Sequence, residues 1–113
     1  MPAKRIKSRT AASASVFAAL GDERRLRLVI RLSRDGPGSI TRLASGSGVS
    51  RQAITKHLHV LARAGLVRGL HQGRERLYEL DPKQLQQARR YLKVISRQWD
   101  ESLERLKLLV EGA

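Results

Sequence analysis

Between Val49 and Val67 the chain reads V-S-R-Q-A-I-T-K-H-L-H-V-L-A-R-A-G-L-V, and this run restricts the fold more than any other stretch. Ile54, Leu58 and Leu61 recur at helical spacing and define one apolar stripe. Ser50 stands where an N-cap is needed: its hydroxyl can accept a bond from a backbone N–H that has no partner inside the helix. Gly65 ends the run. Arg51, Gln52, Thr55, Lys56 and His59 fall on the side away from the stripe. All five can donate hydrogen bonds and none carries a negative charge, a face suited to DNA. His57 lies nearer the apolar stripe, which assigns it packing or a backbone bond rather than readout.

The flanks complete a recognisable unit. Upstream, Asp35, Gly36, Pro37 and Gly38 break the chain, Ser39 caps a short helix carrying Ile40, Leu43 and Ala44, and S-G-S-G at Ser45 to Gly48 makes a tight turn. A short helix, a glycine-bearing turn and a second helix form a helix-turn-helix over residues 39–65. Downstream, L-V-R-G-L-H and E-R-L-Y-E-L read as two strands of a hairpin over 66–80, with Gly73 supplying the positive φ of a tight turn. Apolar alternation here is imperfect and leaves the register open. A basic hairpin directly behind a recognition helix is a wing. Its Arg68, Arg74 and Arg76 either reach phosphates or the minor groove, or belong to a solvated loop.

Residues 1–10, with Lys4, Arg5, Lys7 and Arg9, read as a flexible basic tail, either a solvated terminus or an arm that touches phosphate. A single domain is expected over 11–113. Its first helix runs from Ala11 to Leu20 and is closed by Gly21. Asp22 caps a second helix, whose Leu26, Leu28, Val29, Ile30 and Leu32 cover more than one face and predict a central helix enclosed on several sides. Asp81 and Pro82 open a last helix over 82–110, with Pro82 at its first position. Leu85, Ala88, Leu92, Ile95, Trp99, Leu103, Leu106 and Val110 form its stripe, each three or four residues from the next. At 1.5 Å per residue this helix is about 40 Å long, more than so small a domain needs for its own core. Length and stripe together predict self-association ahead of simple packing against the first helix, the two being compatible, with Trp99 in mid-stripe.

Charge narrows the partner. Against 10 Asp and Glu stand 23 Lys and Arg, a net charge of +13 on 113 residues, which points to a polyanion. Between Gly36 and Arg74 lie Arg42, Arg51, Lys56, Arg63, Arg68 and Arg74, all three histidines and no acid, so the positive field is focused on the middle block. With zero cysteines the chain has no disulfide framework and no thiolate metal site. No run approaches the roughly 18 apolar residues of a membrane span, and no apolar segment follows the basic start as a secretory signal requires. A cytoplasmic protein is expected. G-x-S-x-G, a phosphate-binding glycine loop and H-E-x-x-H are all missing, which argues against an enzyme.

A-L-G-D-E-R-R-L-R-L at Ala19 to Leu28, S-R-Q-A-I-T-K-H-L-H-V-L-A-R-A-G-L-V and H-Q-G-R-E-R-L-Y-E-L-D-P, in this order and spacing, resemble the ArsR-type winged helix-turn-helix repressors of bacteria and archaea. The resemblance covers roughly Ala11 to Pro82. It implies a mainly α fold with a small β-hairpin, and a homodimer paired through the first and last helices, with Phe17, Leu92, Ile95, Trp99, Leu103 and Leu106 at the interface. It further implies a sequence-specific transcriptional repressor that places one recognition helix of each subunit into successive major grooves of a palindromic operator in double-stranded DNA, its own operon included. Carried over by position, Ser50, Arg51, Gln52, Thr55, Lys56 and His59 contact the groove, and Arg74 and Arg76 act from the wing.

The metal-sensing pattern of that family is missing. Metal-sensing members place paired cysteines on the third helix, or His, Asp and Glu clusters on the first and last helices. Here the third helix reads I-T-R-L-A-S-G, the last holds no histidine, and Asp100, Glu101 and Glu104 form an acidic patch without nitrogen or sulfur partners. No metal and no other cofactor is expected, and the ending W-D-E-S-L-E-R-L-K-L-L-V-E resembles that of metal-independent members. A small-molecule effector is compatible with the sequence, which gives no residue pattern in support of one. Competing readings are a nucleoid-type protein that binds all duplexes alike, and an antitoxin-like module whose last helix holds a different protein.

Overall fold

A computed structural model describes the backbone of residues 2–112 and the side chains of residues 10–112. The elements follow in the order α1 (Pro2–Leu20), α2 (Glu23–Asp35), α3 (Ile40–Ala44), α4 (Arg51–Arg63), β1 (Val67–Gln72), β2 (Glu75–Leu80) and α5 (Pro82–Glu111). The fold is mainly helical with a two-stranded antiparallel hairpin.

α1 begins at Pro2 rather than at Ala11. Proline suits a first helical turn, and the residues between it and Ala11 contain no further breaker, so the helix continues through the stretch expected to be a tail. The tail's basic side chains, through which an arm would act, lie outside the described residues.

Asp22 caps α2, accepting from the backbone N–H of Arg24 at 2.9 Å and of Arg25 at 3.2 Å. These amides, Arg25's above all, hold the Asp22 carboxyl below the usual carboxylate range, aided by the positive charges of Arg25 and His57. Arg25 turns back to donate from Nε to the Ala19 carbonyl at 2.6 Å, satisfying an acceptor at the end of α1.

α2 is not enclosed on several sides. Leu28, Val29 and Leu32 are buried, but Leu26 is 42% and Ile30 53% exposed. Arg24, Arg27, Arg31 and Arg34, spaced three and four apart, occupy one flank and keep it solvated, leaving a single arc for the core. Beyond α2, Gly36 adopts a φ of 79°, and Gly38 pairs with Tyr78 through two backbone bonds of 2.9 Å. That bridge lays a third extended segment against the hairpin. At Gly38 a side chain would press on Leu43 Cδ2 at 3.3 Å, which favours glycine there.

Ser39 caps α3 through the Arg42 N–H, and Ser50 caps α4 through the Ala53 N–H, both at 3.1 Å. α4 ends in a paired C-terminal motif: Gly65 N–H donates to the Ala62 carbonyl and Leu66 N–H to the Leu61 carbonyl. Gly65 takes a φ of 78°, and a Cβ there would lie 2.7 Å from Gln84 Cγ. Leu66, fully buried, seals the motif.

The hairpin register left open by the sequence is Val67 with Leu80, Gly69 with Tyr78 and Gln72 with Glu75. Its loop is Gly73 and Arg74, with positive φ only at Gly73, as a two-residue loop of the II′ kind requires. The core gathers Val16 of α1, Leu28 and Leu32 of α2, Leu43 of α3, Ile54, Leu58 and Leu61 of α4, and Tyr78 of β2.

α5 is capped by Asp81 and carries Pro82 at its start. Only Ala88 is buried along it, where α1 packs on its first half and Thr10 Oγ1 meets Tyr91 Oη. From Leu92 onward every described side chain is exposed.

Candidate nucleic-acid interface

The amphipathic division of α4 leaves one polar face open. With Ile54, Leu58 and Leu61 inward, Arg51, Gln52, Lys56 and His59 are exposed. Thr55 is half-buried, and its hydroxyl donates to the Arg51 carbonyl at 2.8 Å. That proton is therefore committed to the helix, leaving Thr55 its methyl and an oxygen lone pair for a partner. Ser50 uses its oxygen as the cap acceptor and keeps its hydroxyl proton. The first N–H groups of α4 and the positive end of its dipole accompany Ser50 at this terminus, a setting that favours phosphate.

His57 is half-buried on another side of α4, near enough to Asp22 for its charge to act on that carboxylate. Arg63, four residues beyond His59 and on the same face, is exposed. The same spacing that selected Lys56 and His59 identifies it.

Arg74 at the hairpin loop and Arg76 on β2 converge with Arg51 at the start of α4 and Arg42 of α3. They line an open groove of about 780 Å³ together with Ser39, Thr41, Ser45 and one acid, Glu75. Arg42, Arg51 and Arg74 form no ion pair among the described residues. The Arg76 guanidinium lies 5.4 Å from the centre of the Tyr78 ring. Arg42 was not singled out by the sequence because it precedes the turn and belongs to no periodic basic face; the fold brings it to the wing.

Arg68 differs from the other wing arginines. Its Nε donates to Glu79 at 2.8 Å, its Nη1 lies 4.0 Å from Asp81, and the bond to Glu79 raises its pKa further. Its charge is met within the chain.

At the other end, Leu92, Ile95, Trp99, Leu103 and Leu106 are 47–64% exposed. Phe17 is half-buried and packs against the core. Among the described residues, no three His, Asp or Glu side chains cluster as metal ligands would, and no helix is long and apolar enough to cross a membrane.

A family described as a helix-turn-helix domain matches residues 20–69. The chain is 42% identical over 66 residues to the HTH-type transcriptional regulator Rv2034 of Mycobacterium tuberculosis, covering 58% of this chain and 61% of that protein. To the HTH-type transcriptional regulator NmtR of the same organism it is 38% identical over 80 residues, covering 70% of this chain and 66% of that protein. The chain thus spans about 61% and 66% of the lengths of these two relatives. An ArsR-like transcriptional regulator from Rhodococcus sp. RHA1 superposes with a TM-score of 0.76 at 41% identity, over 88% of this chain and 93% of that one. Similarity in both sequence and fold over nearly the full length of two chains shows that this protein belongs to the ArsR-type winged helix-turn-helix family.

Proposed function

We propose that the protein is a sequence-specific DNA-binding transcriptional regulator, a homodimer that represses from a palindromic operator, its own operon included. The observation that carries this reading is the convergence of Arg42, Arg51, Arg74 and Arg76 on one groove beside the exposed polar face of α4. A phosphodiester strand running between α4 and the wing meets unpaired guanidiniums on both sides, while Gln52, Lys56 and His59 meet base edges. Dimerisation is supported by the bare apolar stripe of α5, and a two-fold dimer sets half-sites about one helical turn of DNA apart. The relatives that it resembles are themselves named transcriptional regulators.

Release from DNA works without a metal ion in this reading. The chain has no cysteine, and its histidines belong to α4 and β1 rather than to α1 or α5. Zinc, copper and arsenite added at micromolar levels leave the protein on DNA; release by any of them overturns the metal-independent assignment.

Selection of bound fragments from the source genome tests the whole reading. It should return a two-fold symmetric site upstream of regulated genes, bound in the presence of competitor DNA. Equal retention of all fragments, with affinity set by salt alone, would assign the chain to non-specific DNA binding instead.

A further inference from the structure

α2, Leu43 of α3 and the helix-turn-helix turn line a second open groove, of about 510 Å³. This volume falls in the range of roughly 300–1,000 Å³ usual for small-molecule sites. Its floor is apolar, formed by Leu28 and the 53% exposed Ile30 of α2, Val49 of the turn and Ile54 of α4. Its rim is cationic: Arg24, Arg27, Arg31 and Arg34 all line it, and no acid does. Arg27 reaches Glu23 at 2.6 Å, while Arg31 and Arg34 share Asp35 at 3.8 and 3.3 Å. Arg24 has no ion pair among the described residues. Two positive charges are left over on the rim, and Arg31, held by the Leu43 and Arg42 carbonyls at 2.9 and 2.8 Å, is fixed in place.

The wall opposite α2 is the turn that sets the start of α4. Gly46 and Gly48 hold φ values of 72° and 73°. Ser47 Oγ donates to the Ala44 carbonyl at 2.7 Å and accepts from the Val49 N–H at 3.1 Å. Ser50 and Arg51 follow directly. An occupant that presses on Val49 therefore acts on the cap and first arginine of the reading helix through two residues of backbone.

We propose that this groove is an effector site for an amphipathic anion, its apolar body on Leu28, Ile30, Val49 and Ile54 and its carboxylate at the unpaired Arg24, with Arg27 one turn along beside it. Binding there displaces the turn and loosens the hold of α4 on DNA. The DNA-linked half rests on the function proposed above; the binding half does not.

Octanoate, octan-1-ol and octylammonium serve as probes, read by amide shifts in the full-length protein without DNA. Octanoate should shift Leu28, Ile30 and Gly46 to Val49 saturably, and octylammonium should not. Arg24→Glu with Arg27→Glu should weaken octanoate by about tenfold or more, as loss of charge-assisted bonds does. Ile30→Glu, at an exposed position, should do the same by placing a like charge on the floor. Shifts confined to Leu92–Val110, or equal shifts at the groove by all three probes, would overturn the site. On a genome-selected duplex, octanoate should lower the affinity of the wild type and leave that of the double variant unchanged. Binding at the groove with no change on DNA would overturn the regulatory half. A double variant whose own DNA affinity collapses, with octanoate binding intact, would reassign the arginine row to DNA phosphate.

Discussion

α4 and α5 carry the same kind of apolar stripe, yet the chain covers one and leaves the other bare. In α4, Ile54, Leu58 and Leu61 are at most 2% exposed, whereas in α5 Leu92, Ile95, Trp99, Leu103 and Leu106 are 47–64% exposed. α4, with 13 residues, lies among α1, α2, α3 and β1. α5, with 30 residues, packs against α1 over its first half, and from Leu92 onward every described side chain is exposed. Periodicity thus states that a face is to be covered, and the surrounding elements determine whether the same chain does so.

The largest effect belongs to the covered stripe. Leu58→Ala should cost about 2–5 kcal/mol, read as a fall in the denaturation midpoint, because it leaves a cavity among fully buried neighbours. A loss under about 1 kcal/mol would mean that the site collapses freely and that α4 is not the centre of the core. For the bare stripe, Trp99→Asp should remove a few kcal/mol of association. Light scattering should then give a dimer for the wild type and a monomer for the variant with an unchanged helical spectrum; a monomeric wild type would erase the contrast between the two helices.

The outer faces separate next. Arg51→Ala or Gln52→Ala should each cost about 1–3 kcal/mol at particular operator positions. Arg74→Ala should weaken all sequences alike and reduce the salt slope by about 0.9. Loss of the same size on operator and random DNA for every variant would count against base readout by α4. Arg68→Ala should change DNA affinity less than Arg74→Ala and leave the salt slope as it was, since Glu79 and Asp81 already meet its charge.

The smallest effect is at Asp22. Its folded-state pKa is depressed, so the cap's contribution is present above the ordinary carboxylate range and is lost as pH falls through the lower folded value. The difference in denaturation midpoint between wild type and Asp22→Ala should therefore be open at neutral pH and close in acid.

Much of this was legible from local chemistry. Ser39, Ser50, Asp22 and Asp81 cap the helices that they were expected to cap, and Gly65 and Gly73 take the positive φ that their turns need. What escaped was non-local. Gly38 joins Tyr78 across forty residues of sequence, and no pattern at an isolated glycine signals such a bridge. The apolar residues of α2 point to an enclosed helix, but the four arginines spaced between them keep one flank in water. Arg42 stands unpaired beside the wing among the described residues while Arg68 is paired, because ion pairing is decided by which carboxylate the fold delivers.

By itself the sequence determined the helix-turn-helix, the hairpin behind it, the polar face of α4 and the apolar stripe of α5. These follow from spacing, caps and turn residues, which act over a few positions. Only the tertiary structure decided which arginines stand unpaired around the groove between α3 and the wing, and which side of α2 is left open beside the turn. Charge pairing and concavity depend on elements distant in sequence meeting in space, and one-dimensional spacing does not encode that meeting.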